Sequence, residues 1–270
     1  MELSKRTGIG HFDNMELLQC QSSLHEFPLH YHNTFCLTII HDGLMGENDI
    51  SAPAGTLLIS HPFEVHQNKL VHQTAYSFTT FYIPPDLFSH ATNSNNLFFK
   101  EKVIYDKSLV SSFNQLARQA PHLKNNKKYI LRYEKNFIAA IDELASAHSS
   151  NEPFSETSSP EIINEIKNYI IGRLDRKISL IELSKIAGLD KFKFLRWFKK
   201  HTGLTPFNYI ILNRIERGKK LIRQGKPIVC AALDSGFYDQ SHFTNYFKYF
   251  VGITPKEYQS RFNIFQALAW

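Results

Sequence analysis

The sequence predicts a two-domain α+β chain: an N-terminal β-barrel with helices after it, then an all-α domain of two helix-turn-helix units joined by a long helix. Three observations lead there. Hydrophobic periodicity is that of short strands up to about Ile83 and helical from about Lys107 onward. The C-terminal part repeats itself at a shift of 49 residues. Charge divides along the chain, with 12 Lys+Arg against 16 Asp+Glu in residues 1–159 and 19 against 9 in residues 160–270, a net −4 beside a net +10.

The 270 residues suffice for one large domain or two medium ones, and 43% hydrophobic with 21% charged residues is a globular composition. No run of ~18 apolar residues exists, so no transmembrane helix is expected. The opening MELSKRTGIG lacks the apolar stretch of a secretory signal. Cys20, Cys36 and Cys230 are odd in number and scattered. That argues against a disulfide framework or a cysteine-rich zinc module, and for a cytoplasmic protein.

In chain order, FCLTII (35–40), GTLLIS (55–60) and AYSFTTFYI (75–83) are the strand runs. The turn signals His41-Asp42-Gly43, Ala52-Pro53-Ala54-Gly55 and His61-Pro62 separate them. Short strands at this spacing indicate a small barrel or sandwich. Ile130, Tyr133, Phe137, Ile141 and Leu144 then mark one face of a helix over 128–147, with Leu131, Ile138 and Ala145 beside it. That face packs on the chain's own sheet, pairs with a second subunit, or does both. SSNEPFSETSSP (149–160) has nothing to bury and coincides with the charge switch, so it reads as a linker between domains at 1–148 and 161–270.

Beyond the linker, Ile162, Ile163, Ile166, Tyr169 and Ile170 form one face of a first helix. Ser179 is positioned to cap LIELSKIAG, with Glu182 three residues on completing a capping box. Asp190 caps KFKFLRWFKKHTG, Thr205-Pro206 opens a long helix to about Gln224, Pro227 opens PIVCAALDSG, Asp239 caps QSHFTNYFKYF and Thr254-Pro255 opens the last helix. The repeat aligns Asp190 with Asp239, Phe194 with Phe243, Phe198-Lys199 with Phe247-Lys248, Gly203 with Gly252, and Thr205-Pro206 with Thr254-Pro255. Each copy is a short helix, a glycine turn and a capped helix, the layout of a helix-turn-helix. The second helix of such a unit enters the major groove of double-stranded DNA. The long helix spans roughly 30 Å at 1.5 Å per residue, close to one turn of DNA, so one chain can address two successive grooves. The +10 segment and the matched lysines Lys199 and Lys248, with Lys200, suit a polyanion.

These residues resemble a known family. Residues 161–262 look like the double helix-turn-helix domain of AraC/XylS-type transcription regulators, most closely in GFYDQSHFTNYFKYFVGITPKEYQSRF (236–262) and RWFKKHTGLTPFNYI (196–210). The resemblance implies base reading by Phe192, Leu195 and Arg196 in the first copy and by Gln240, Ser241 and Asn245 in the second. It also implies activation through contact with RNA polymerase. Three positions depart from the pattern. Asn245 stands where arginine is usual, Phe192 and Leu195 cannot hydrogen-bond a base, and Gly218 replaces a mid-helix alanine. A glycine there serves either close packing or softness between the two reading heads, and in both readings Gly218→Ala gains stability if a methyl group fits.

Residues 25–90 hold eight of the thirteen histidines. Pro28-x-His30-x-His32, with Gly55 and Pro62-x-x-x-His66 later, resembles the cupin-type barrel of AraC-family sensor domains. Metal-binding cupins place a glutamate shortly after the paired histidines; Phe35-Cys36-Leu37 stands there instead. The readings are an effector site lined by His30, His32 and His66, a three-histidine metal sensor, a metal-dependent cupin enzyme with a DNA-binding appendage, or histidines held structurally. The favoured one is an effector site, with no resident metal or cofactor and no catalytic residue. The chain is thus expected to be a regulator, forming a homodimer and controlled by a small-molecule effector. A fused DNA-repair methyl acceptor would need a clustered cysteine module, which is absent.

Overall fold

The computed structural model describes residues 3–8, 12, 15–94, 97–123, 127–150 and 161–266, without side chains at 3–8, 127 and 261–266. Strands β1 (Leu3–Gly8), β2 (Glu16–Ser23), β3 (Phe27–His30), β4 (Phe35–Asp42), β5 (Leu44–Glu47), β6 (Ile50–Pro53), β7 (Leu57–Ser60), β8 (His66–Leu70) and β9 (Tyr76–Ile83) lead into helix α1 (Pro85–Thr92). Strand β10 (Val103–Ile104) and helices α2 (Lys107–Gln119) and α3 (Lys127–His148) follow. The helical part comprises α4 (Glu161–Ile171), α5 (Leu180–Ile186), α6 (Lys191–Thr202), α7 (Pro206–Arg223), α8 (Ile228–Asp234), α9 (Gln240–Val251) and α10 (Pro255–Gln266). Two compact units result, one made chiefly of residues up to Phe154 and the other chiefly of Ser155–Asn263.

The strands do not close into the expected barrel. They form a six-stranded sheet in the order β1-β2-β9-β4-β7-β10 and a four-stranded sheet in the order β3-β8-β5-β6. What joins the sheets is an apolar layer. Successive residues of a strand point to opposite faces, and the central strands β4 and β7 are apolar on both. Cys36, Ile40 and Leu58 pack with Met45, Ala52 and Phe27 of the smaller sheet. Leu37, Ile39, Leu57 and Ile59 pack on the other side with Phe88, Phe113, Phe137 and Ile141 of the helices. That double burial explains why FCLTII and GTLLIS read as continuous rather than alternating apolar runs.

The inner face of α3 settles one of the open readings. Ile130, Tyr133, Phe137, Ala140, Ile141, Leu144 and Ala145 are buried, all but Ile130 in the cluster against the chain's own sheet. Tyr129 and Leu131 are the large apolar side chains α3 leaves exposed. Helix α1 was not anticipated; Pro84-Pro85 was its signal, with proline in the first turn. Ser149 and Ser150 of the expected linker are hydrogen-bonded into this unit, Ser150 through a bridge to Phe98, and 151–160 lie outside the described residues.

In the helical unit the expected caps form. Ser179 and Glu182 make the capping box of α5. The Asp190 and Asp239 side chains accept backbone N–H bonds at the starts of α6 and α9. Thr205 caps α7, and Gly203 and Gly252 end the two capped helices in the left-handed conformation. Helix α7 packs against α4, α6, α8 and α9. Its Arg214 donates to the carbonyls of Leu174 at 3.0 Å and Arg176 at 2.8 Å, tying the segment that follows α4 to the middle of α7. Gly236, at φ +88°, passes so close that an added Cβ would lie 1.8 Å from the Leu174 carbonyl oxygen. Only glycine meets both conditions.

Candidate nucleic-acid interface and effector site

Helix α6 buries Phe194 and Phe198, and α9 buries Phe243, Phe247, Phe250 and Val251. Helical spacing turns the remaining faces outward. Of the expected base readers, Phe192, Arg196, Gln240, Ser241 and Asn245 are exposed, and Leu195 is half-buried. Lys199, Lys200 and Lys248 are exposed on the same two helices. Phe192, Leu195, Arg196 and Lys199 follow i, i+3, i+4, i+7 and so share one stripe; Ser241, Asn245 and Lys248 do the same on α9.

The caps set the polarity of these helices. Asp190 Oδ1 accepts from Phe192 N–H and Lys193 N–H, each at 3.0 Å. Chiefly the Lys193 N–H holds its carboxyl below the usual carboxylate range. Asp239 Oδ1 accepts from His242 N–H at 2.7 Å. Sequence reasoning missed Tyr238, which is 87% exposed immediately before that cap. Its signal was an aromatic residue outside the apolar period of α9.

His30, His32 and His66 come together. One ring nitrogen from each lies within 4.8 Å of the others, and His30 and His66 are buried. His30 sits on β3 and His66 on the neighbouring β8, which explains how residues far apart in sequence meet. The Pro28 carbonyl lies 2.6 Å from His30 Nδ1 and the Glu64 carbonyl 2.9 Å from His66 Nδ1. His32 contacts the rings of His66 and Tyr82, with centroids at 5.5 Å and 4.8 Å.

A buried carboxylate lies on β5, on the other side of β8, at a position sequence reasoning did not mark. Glu47 of β5 pairs in register with Asn68 of β8. Its Oε1 accepts from the Ser60 hydroxyl at 2.8 Å and its Oε2 from Asn68 Nδ2 at 3.3 Å. Asn68 stands two residues after His66, so the two share a face of the strand. Glu47 in GENDI reads as an exposed turn residue because only the pairing of β5 with β8 buries it.

His61, also buried, belongs to a separate cluster. Its Nε2 accepts from Phe99 N–H at 3.0 Å, and its Nδ1 faces Glu64 Oε2 at 3.2 Å. Glu64 also takes a hydrogen bond from the Lys102 ammonium. Burial pushes the Glu64 carboxyl up, but the hydrogen bonds from His61 and Lys102 outweigh it and set the pKa at about 2.

Comparison with known proteins gives the same division. An AraC-like ligand binding domain matches residues 15–141 and a helix-turn-helix domain matches residues 183–261. The HTH-type transcriptional regulator YbfI of Bacillus subtilis (strain 168) is 30% identical over 241 residues, 85% of this chain and 86% of that protein. The probable transcriptional regulator LumQ of Photobacterium leiognathi is 39% identical over 95 residues, 35% of this chain and 38% of that protein. The fold is similar to that of ToxT from Vibrio cholerae O395, with a TM-score of 0.53 at 14% identity over 97% of this chain and 98% of that one. ToxT from strain SCE256 bound to an unsaturated fatty acid gives a TM-score of 0.52 at 14% identity, over 96% of this chain and 94% of that one. With a ligand-binding unit of two sheets and a helical unit of two capped, outward-facing helices, the chain belongs to the AraC family of HTH-type transcriptional regulators.

Proposed function

We propose that α6 and α9 are the two recognition helices of an effector-controlled regulator that acts on DNA rather than as an enzyme. The observation that carries this is the pair of equivalent helices, each capped by aspartate, each burying aromatic residues inward and each exposing the residues that suit base edges and phosphates. Arg196 is chemically matched to guanine and Gln240 to adenine, Phe192 and Leu195 to thymine methyl groups, and Lys199, Lys200 and Lys248 to phosphates. Ser241 and Asn245 complete the second reading head.

The effector reading places a small molecule at the polar end of the layer between the sheets, with His30, His32 and His66 as its contacts. ToxT, similar in fold, binds an unsaturated fatty acid, which supports a small-molecule effector here. Effector binding shifts the protein between two states of different DNA affinity, a shift no larger than its preference for one of them. A homodimer through the outward face of α3, where Tyr129 and Leu131 are exposed, activation through RNA polymerase and a cytoplasmic location complete the reading. Among the described residues no helix is long and apolar enough to cross a membrane.

Selection of bound duplexes from a randomised pool by the full chain tests the DNA reading. Arg196→Ala and Gln240→Ala should each cost ~1–3 kcal/mol on the selected site and relax the preference at one base position. An unchanged preference in either variant removes that residue from the interface.

A further inference from the structure

The three histidines have the arrangement of metal ligands. A carbonyl oxygen only accepts hydrogen bonds, so the contacts of His30 Nδ1 with the Pro28 carbonyl and of His66 Nδ1 with the Glu64 carbonyl put the ring proton on Nδ1 in both. That tautomer places the lone pair on Nε2, the nitrogen a metal takes. Fixing a ligating imidazole by a hydrogen bond from its other nitrogen to a backbone carbonyl is the usual outer-shell device of histidine metal sites. Such a site needs its nitrogens ~2.0–2.1 Å from the ion, hence ~3.4 Å apart in a tetrahedron. One ring nitrogen of each histidine lies within 4.8 Å of those of the other two, near the separation such a site needs.

We propose that His30, His32 and His66 bind one divalent first-row metal ion of the zinc type. The donor set selects the class: three imidazoles suit zinc, nickel, copper and iron, and do not suit magnesium or calcium, which take oxygen. The three-residue group contains no carboxylate, and Glu47 is held by Ser60 and Asn68. Three neutral ligands leave the ion's double charge in place and its fourth position open, so water or an anionic oxygen donor completes it. The metal's part in signalling rests on the effector reading above, with the ion as the group to which the effector binds; metal binding itself stands on the three rings.

Titration of the untagged full-length chain with Co²⁺, followed by its visible absorption and by competition with Zn²⁺, tests the site. One equivalent per chain is expected, with His32→Ala weakening binding 100-fold or more and the exposed His90→Ala leaving it unchanged. His32 is half-exposed, so its truncation should spare the fold, as circular dichroism will verify; His66→Gln, which keeps a buried polar side chain, provides a second ligand variant. Substoichiometric Co²⁺, or the same affinity in His32→Ala as in the parent, overturns the metal site. DNA affinity measured with and without Zn²⁺ separates the two readings. Stoichiometric Co²⁺ with DNA affinity indifferent to Zn²⁺ sustains the site and overturns its part in signalling. Absent Co²⁺ binding, with DNA affinity of the metal-free protein altered by His32→Ala, overturns the metal and leaves the effector reading standing.

Discussion

Gly218 sits on α7 where α9 comes closest. A Cβ built there lies 2.6 Å from Cε2 and 2.8 Å from Cζ of Phe243, a ring that is fully buried. The methyl group does not fit, so the gain of stability that follows from helix propensity is reversed. Gly218→Ala should lose up to ~2 kcal/mol in thermal or denaturant unfolding, an overpacking cost of ~1–3 kcal/mol set against ~1 kcal/mol of regained propensity. A more stable variant would show that the Phe243 ring can move aside. Glu64 yields a second outcome at this scale. Its carboxyl is depressed from 4.5 to about 2, so its contribution is complete above pH ~4.5 and is lost as pH falls toward 2. Glu64→Gln should therefore be less stable than the parent at pH 7, and the difference in melting temperature should shrink between pH 4.5 and 2. A constant difference across that range would remove the ion pair with Lys102 as its cause.

At the scale of elements, α6 and α9, the proposed recognition helices, depend on their first turns. Asp239 is held in an extended conformation and its carboxylate takes the His242 N–H. Asp239→Ala should cost ~1 kcal/mol, while Asp239→Asn, an equally good cap, should cost little. Equal losses in the two variants, measured by thermal unfolding of the full chain, would point to charge rather than capping. The caps were legible beforehand because a cap is local: Ser, Thr or Asp before an apolar period names it without knowledge of the rest of the fold. Helix α3 was not legible in the same way. Its apolar stripe fits a sheet and a partner subunit equally well, and only the position of Phe81 and its neighbours beneath it decided for the sheet.

For the whole molecule, the net +10 of residues 160–270 and the exposed Lys199, Lys200 and Lys248 lead to the expectation that DNA binding is strongly electrostatic. With ~6 phosphate contacts, affinity for the best site should fall ~10³-fold between 50 and 200 mM salt. Lys199→Ala and Lys248→Ala should weaken binding by similar factors on all sequences and flatten that slope. A fluorescence-anisotropy titration showing a slope near zero would place DNA recognition outside this electrostatic description.

Strand runs, helix periods, caps, the 49-residue repeat and the charge division are properties of neighbours along the chain, and the sequence by itself determined them. It also named His30, His32 and His66, through the resemblance of Pro28-x-His30-x-His32 and Pro62-x-x-x-His66 to a family pattern that is read along the chain. Tertiary structure alone decided what depends on residues distant in sequence. The strands formed two sheets rather than a barrel because the apolar layer of Met45, Cys36 and Phe78 joins them side chain to side chain. Glu47 became a buried carboxylate only when β5 paired with β8. The three imidazoles acquired a common focus only when β3 was laid beside β8. Of the two readings of Gly218, close packing or softness, only the placement of Phe243 against it decided for packing. Local pattern states which atoms a residue offers, whereas burial and distance, which govern what those atoms can bind, arise only when the chain closes on itself.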